Sequence, residues 1–135
     1  MRTHIEFTST EFPAYEDEDE AVNPGRFGKR LAEWLAVTLP AHGFVVRGIG
    51  AEDWGWRVEV ENQAFPLWVG CGNYEEFEHG FLCFIEPSKP FVRKLFSKVA
   101  TSETVERLAS ALEAALRQRG DVSRLRWWSE DEART

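Results

Sequence analysis

Several features that mark whole classes of protein are scarce in these 135 residues. The two cysteines, Cys71 and Cys83, are too few for a disulfide framework and lack the paired spacing of a zinc site. No run approaches the ~18 apolar residues of a membrane helix, and the N-terminal "MRTHIEFTST" lacks the continuous apolar segment of a secretory signal. These absences favour a reduced, cytoplasmic protein without a membrane partner. A Cys71–Cys83 bridge across a hairpin is the less favoured alternative.

Positive charge is also in short supply. Sixteen lysines and arginines stand against 23 acidic residues, so the formal net charge is −7. A protein that binds nucleic acid needs a basic face for the phosphates, and we therefore expect no nucleic-acid partner. An acidic surface instead suits a basic protein or a cation.

Aromatic residues, in contrast, are abundant. Six tryptophans and ten phenylalanines accompany a hydrophobic fraction of 43%, which is typical of a folded domain with an aromatic core or interface. At this length the chain is expected to form a single domain over 1–135.

Hydrophobic periodicity divides the chain into strands and helices. Strands are expected at 3–9, 44–49, 54–61, 64–72 and 80–87, and helices at 24–39 and 102–120. Residues 16–23 are expected to form an acidic loop, and residues 88–101 a linker with a helical turn. At the C-terminus we expect a last short strand or extended tail at 121–128 and a frayed tail at 129–135. Strands joined by short turns must be antiparallel, because parallel pairs need long crossovers. The sequence therefore predicts an α+β domain of order β-α-β-β-β-β-α, with an optional C-terminal strand, in which a curved antiparallel sheet packs against two helices.

The segment "EDWGWRVEV" (52–60) combines two acids with two tryptophans. Alternation places Trp54 and Trp56 in an inward row, and leaves Glu52 and Asp53 in a solvated turn. With Trp34 of the first helix, these tryptophans could line a ligand pocket between the helices and the sheet. This pocket is the first alternative function.

The hairpin predicted from 64–72 and 80–87 has apolar residues on both faces. If the helices cover one face, Trp68, Leu82 and Phe84 lie together on the other. That second face needs a cover: the tail with its Trp127-Trp128 pair, the N-terminal loop, or a second copy of the chain. Left open, it marks an interaction surface.

Charge is segregated along the chain. Eight acids against one arginine give 52–86 a net charge of −7, whereas 87–98 carries four basic residues and no acid. The acidic part predicts either a solvated surface or a binding surface for a basic partner. The basic part, which includes "RKLF", is interpreted as neutralising the domain's own acids.

The loop "EEFEH" gathers Glu75, Glu76, Glu78 and His79. Carboxylates and an imidazole can bind a divalent metal or transfer protons, so a metal-dependent enzyme is a further alternative. No second ligand group has a recognisable spacing. We therefore assign no catalytic residue, no metal and no cofactor.

The motif Asp53-Trp54-Gly55-Trp56, followed by "LWVGCG" and a late amphipathic helix, resembles a group of small bacterial α+β proteins over residues 26–120. The resemblance implies an antiparallel meander closed by a helix, and it implies no activity. In size, acidity and layout the chain is also similar in kind to bacterial toxin-immunity proteins, which is an analogy of layout only.

These observations together favour a cytoplasmic protein-interaction domain of immunity-like character. It would bind a basic or apolar partner, or a second copy of itself. The residues expected to make contact are Glu52, Asp53, Trp68, Glu75, Glu76, Glu78 and Phe84.

Overall fold

The computed structural model describes residues 1–133 and confirms the α+β class. Its strands are β1 (His4–Thr8), β2 (Val46–Glu52), β3 (Gly55–Val60), β4 (Leu67–Asn73), β5 (Gly80–Glu86), β6 (Phe91–Lys94), β7 (Ser97–Ala100) and β8 (Ser123–Trp128). Its helices are α1 (Lys29–Thr38), α2 (Ser102–Arg119) and the short α3 (Glu130–Ala133). Two 3-10 turns, Glu18–Glu20 and Leu39–His42, complete the described chain. The end of the expected frayed tail, 134–135, lies outside the described residues.

Six strands form one antiparallel sheet in the order β2-β3-β4-β5-β1-β8, and β6 pairs only with β7. The sheet is not closed into a barrel. We call the side that α1 and α2 cover its inner face and the opposite side its outer face. The apolar residues of the inner face and of both helices form one core, which includes Ile5, Phe7, Leu31, Leu35, Val58, Val69, Ile85, Leu108 and Leu112.

The C-terminal segment joins the sheet as the edge strand β8 and does not fold across the outer face. Strand β1 lies between β5 and β8, with His4 opposite Phe84 on one side and Trp128 on the other. Trp127 points to the inner side, where its Nε1 donates a 2.7 Å hydrogen bond to Glu113 of α2. The tail therefore does not lie over Trp68, Leu82 and Phe84, and it reaches the outer face only at the sheet edge, where Trp128 stacks on His4.

Helix α1 begins at Lys29, five residues after the start at position 24 that the sequence predicted. Asn23 instead donates its backbone N–H to the carbonyl of Asp53, 2.9 Å away. The segment that follows packs closely on the end of β4, since a Cβ on Gly28 would lie 2.5 Å from the Cys71 carbonyl oxygen. The helix ends at Thr38, one residue before the predicted end, and runs into the 3-10 turn Leu39–His42, which Gly43 terminates in the left-handed conformation at φ 90°.

The expected linker at 88–101 is a β-hairpin and contains no helical turn. Val92 and Val99 are paired across β6 and β7 and are half-buried against the core. Val92 lies between the exposed Phe91 and Arg93, and Val99 lies between the exposed Lys98 and Ala100, which is the period-two burial of a strand. Leu95 and Phe96 form the two-residue turn between the strands.

Candidate functional site

The Asp53–Trp54 turn sends the two tryptophans of the opening motif to opposite faces of the sheet. Glu52 pairs with Gly55, so the turn itself consists of Asp53 and Trp54. Trp56, the second residue of β3, lies in the core and is 8% exposed. Trp54 precedes the strand, where alternation does not apply, and its ring packs on the outer face. The inward orientation expected for Trp54 is thus corrected.

Aromatic side chains form a continuous row across four strands of the outer face. We call Trp54, Trp68, Phe84, His4 and Trp128 the aromatic row. The ring centroids of Trp54 and Phe84 are 4.9 Å apart, those of Trp68 and Phe84 5.6 Å, those of His4 and Phe84 5.7 Å, and those of His4 and Trp128 4.5 Å. The register that places Trp68, Leu82 and Phe84 on one face agrees with the alternation in the sequence.

Gly70 makes room for the tightest part of the aromatic row. A Cβ at this position would lie 2.3 Å from the Phe84 ring and 2.8 Å from the Trp54 ring. Trp54 therefore reaches over Gly70 and packs against both Phe84 and Trp68. The outer face covers part of its own apolar surface, and all members of the row are half-buried.

The charged residues near the aromatic row neutralise one another. Arg57 lies with its Cζ 5.7 Å from the Trp68 ring centroid and forms ion pairs with Glu52 at 3.3 Å and Glu59 at 3.2 Å. Asp53 is exposed in its turn. The structure thus brings Glu52, Trp68 and Phe84 onto one face. It gives that face little free charge with which to attract a basic partner.

The acidic loop contains a carboxylate that the sequence did not single out. Glu18 is only 3% exposed, although it is the third of five consecutive acids. Its Oε2 accepts hydrogen bonds from the backbone N–H of Gly28 at 2.7 Å, from that of Lys29 at 2.9 Å and from Trp56 Nε1 at 2.8 Å. Its Oε1 accepts the Tyr15 N–H at 2.9 Å. Because both carboxylate oxygens accept hydrogen bonds within the fold, we assign Glu18 a structural role and not a catalytic or metal-binding one.

The three tryptophans proposed to line one pocket are not brought together. Trp34 packs on Phe12, with ring centroids 5.7 Å apart, and under the Arg119 guanidinium. Trp56 is in the core, and Trp54 is on the outer face. They occupy three separate environments.

The loop between β4 and β5 is held in a compact turn. The Tyr74 N–H donates to the Gly80 carbonyl at 2.8 Å, and the Gly80 N–H donates to the Phe77 carbonyl at 3.0 Å. A Cβ on Gly80 would lie 2.4 Å from the Tyr74 carbonyl oxygen, so the turn requires glycine there. This closure directs Phe77 and Tyr74 toward the N-terminal loop.

Between this turn and the N-terminal loop lies a cavity of about 280 Å³, which we call the aromatic groove. Its walls are largely apolar and include Phe12, Phe27, Tyr74, Phe77 and Phe81. Partial burial raises the pKa of the Tyr74 hydroxyl, and the carboxylates of Glu6 and Glu76 raise it further. The groove residues are far apart in the sequence, between Ser9 and Phe81. Of this region, only the acidic loop was singled out from the sequence.

The predicted acidic loop forms one rim of the aromatic groove. Glu75 and His79 line it, and Glu76 and Glu78 are exposed beside them. The carboxylate of Glu78 lies 3.7 Å from His79 Nε2, and within the described chain neither Glu75 nor Glu76 forms an ion pair. Glu75 and Glu76 therefore place negative charge on one side of the apolar cavity, and the Arg124 guanidinium lies 5.3 Å from the ring centroid of Phe77 in its wall.

The hairpin of β6 and β7, which we call the basic hairpin, carries the most exposed apolar side chains of the described chain. Leu95 is 89% exposed and Phe96 is 95% exposed at its tip. Arg93, Lys94 and Lys98 are exposed beside them, and among residues 1–133 none of the three has an ion-pair partner. The expectation that these basic groups neutralise the domain's own acids is therefore not met.

Two further alternatives from the sequence were a metal site and a Cys71–Cys83 bridge. Nowhere in 1–133 do three or more His, Cys, Asp or Glu side chains lie together in a way that could hold a metal ion. Cys71 and Cys83 face each other across β4 and β5 as buried free thiols, and burial raises the pKa of Cys71 well above its ordinary value. Over the same residues, the helices are too short or too polar to cross a membrane.

Comparison with known proteins leaves the fold as the only class that is established. No family model matches the chain, and neither a curated protein nor a solved structure matches it significantly.

Proposed function

We propose that the chain is a protein-interaction domain whose aromatic groove accepts an apolar side chain that is flanked by basic residues on the partner. The observation that carries the proposal is the combination of an apolar cavity with a free acidic rim. Apolar contact would supply affinity, and the rim would supply orientation and selectivity.

The chemistry of the groove favours a protein partner over a small metabolite. Most of its exposed wall is apolar and aromatic, which suits an apolar side chain of a protein partner. An anionic ligand would be repelled by Glu75, Glu76 and Glu78. A peptide segment with a central Phe or Leu can contact the apolar walls, and its neighbouring Lys or Arg can pair with the acidic rim.

The location and the wider likeness are parts of the same proposal. Two free thiols that face each other support a reducing compartment, and we infer a cytoplasmic role. An acidic surface that binds a basic protein also fits the immunity-like character inferred from the sequence. The outer face, with Trp68 and Phe84, is the second surface on which a partner could rest.

Short capped peptides test the proposal. We expect a Lys-Phe-Lys peptide, and not a Glu-Phe-Glu peptide, to shift the amide resonances of the groove turn, such as those of Phe77 and Gly80, in two-dimensional NMR titrations. Binding should weaken as salt rises, because the rim charges are exposed.

A matched pair of variants separates the rim from general charge. Neutralising Glu75, Glu76 and Glu78 to glutamine should weaken binding of the Lys-Phe-Lys peptide about fivefold, since its two lysines form at most two exposed ion pairs, which at roughly 0.5 kcal/mol each amount to about 1 kcal/mol. The control variant neutralises three exposed acids elsewhere, Glu16→Gln, Asp19→Asn and Glu103→Gln, and should bind within about twofold of the original chain. Equal binding of both peptides, or equal loss in both variants, would contradict a role for the acidic rim.

A further inference from the structure

The basic hairpin and the aromatic groove are complementary in chemistry. The hairpin tip presents Leu95 and Phe96 in almost full exposure, and its flanking side chains carry three unpaired positive charges. The groove presents aromatic walls, and its rim carries three acids. An apolar tip with basic flanks is the kind of partner that the groove was proposed to accept.

The hairpin cannot occupy the groove of its own chain. Gly80, at the start of β5, lines the groove, and the hairpin follows the end of β5 at Glu86. Seven residues of extended strand separate these ends by roughly 20 Å, at about 3.3 Å per residue. The two features therefore lie at opposite ends of β5.

We propose that the hairpin tip of one copy of this chain docks into the aromatic groove of a second copy, an inference that rests on the proposed function of the groove. Phe96 or Leu95 enters between the aromatic walls, and Arg93, Lys94 and Lys98 face Glu75, Glu76 and Glu78. The charges match three to three. Such a contact joins two different surfaces and is heterologous, so that each added copy leaves one free groove and one free tip. The assembly grows head to tail, as an open chain or a closed ring.

Sedimentation velocity over a range of protein concentrations tests the inference. The full chain should sediment as species heavier than its 15.5 kDa monomer as concentration rises, and added salt should reverse the association. The double variant Leu95→Ser, Phe96→Ser should associate more than tenfold more weakly. Because both side chains are exposed, its far-ultraviolet circular dichroism should be unchanged. Val37→Ser, which removes an exposed apolar side chain from α1, is the matched control and should associate like the original chain.

Mixing two disabled chains gives the sharpest test. The tip variant keeps its groove, and a variant with Glu75→Lys, Glu76→Lys and Glu78→Lys keeps its tip. Each should be monomeric alone, and together they should form a dimer that cannot grow further. A full chain that associates but whose two variants form no such dimer would overturn the head-to-tail contact.

The failure of this inference is distinguishable from failure of the proposed function. If the full chain stays monomeric while the Lys-Phe-Lys peptide binds the groove, the groove function stands and self-docking is refuted. If association persists in the tip variant, the copies meet through another surface and self-docking is again refuted. If the chain neither associates nor binds the peptide, both proposals fall.

Discussion

Replacing Glu18 should be the most damaging single change in the acidic segment. Its carboxylate accepts four N–H groups, from Tyr15, Gly28, Lys29 and the Trp56 indole. It joins the N-terminal loop to the start of α1 and to β3. Since α1 has no side-chain cap at its own first residues, Glu18 also supplies the acceptor and the negative charge that a helix N-terminus favours.

The loss of stability in Glu18→Ala follows from the buried N–H donors that are left without an acceptor. The N–H groups of Gly28 and Trp56 are buried, and each buried donor left without an acceptor costs about 1–3 kcal/mol. The lost charge at the start of α1 adds about 0.3–1 kcal/mol. We expect Glu18→Ala to lower the free energy of unfolding by about 2–7 kcal/mol. Such a loss is a large part of the roughly 5–15 kcal/mol that stabilises a typical domain.

Glu18→Gln is the graded comparison. The amide oxygen can take the place of Oε2 and keep three of the four acceptor contacts, so that the loss should be about 1–2 kcal/mol. Urea unfolding, followed by circular dichroism, measures both values.

A double-mutant cycle with Trp56→Phe then isolates the indole contact. In the Trp56→Phe chain the stranded indole donor is absent, and Glu18→Ala should cost less by about 1–3 kcal/mol. If Glu18→Ala and Glu18→Gln lower the free energy of unfolding by the same small amount, or if the cycle shows no coupling, Glu18 does not hold the N-terminal loop, α1 and β3 together.

Two further predictions concern the outer face and acid stability. Gly70→Ala should lower the free energy of unfolding by about 1–3 kcal/mol, because its methyl group meets the packed rings of the aromatic row. In the same urea assay Gly50→Ala, on the same face with only a guanidinium 3.9 Å away, should change stability little, and equal losses would discount the packing argument. For Glu113, burial raises the pKa, but hydrogen bonds from the Trp127 indole and the Arg117 guanidinium outweigh it, so that the pKa is lowered from 4.5. The carboxylate therefore stabilises the fold above its ordinary pKa and loses that effect as pH falls through the lowered value. Glu113→Gln should flatten the decline in stability below about pH 4.5, and an unchanged acid limb would contradict this.

The parts of the fold that the sequence predicts are those governed by local periodicity. The stripe of α2, the alternation of β1 and the hairpin of β4 and β5 each repeat a two- or 3.6-residue pattern over enough residues to be recognised. The start of α1 was predicted wrongly for the opposite reason. Its capping acceptor comes from Glu18, ten residues upstream, and no local cap signal encodes such a contact.

The candidate site was predicted only at its rim. The run of Glu75, Glu76 and Glu78 is visible in the sequence, but the walls of the groove come from segments that only the tertiary fold brings together. The basic hairpin was missed because its four-residue strands are short and because Pro90 favours a helical start there. Val92 and Val99, which pair across the two strands, were the residues from which the hairpin could have been predicted.

The internal position of β1, between β5 and the edge strand β8, has a consequence for how the domain folds. Strands β2 to β5 are neighbours in sequence and in space, and they can assemble as a local meander. Strand β1 can pair only after β5 has formed, and β8 can pair only after β1. The Glu6–Arg126 hydrogen bond, for example, joins residues 120 positions apart in the chain. Until β1 arrives, β5 offers an unpaired edge to any other extended segment. Insertion of the first strand should therefore be a late, slow step, and the interval before it is when the chain is most prone to aggregate.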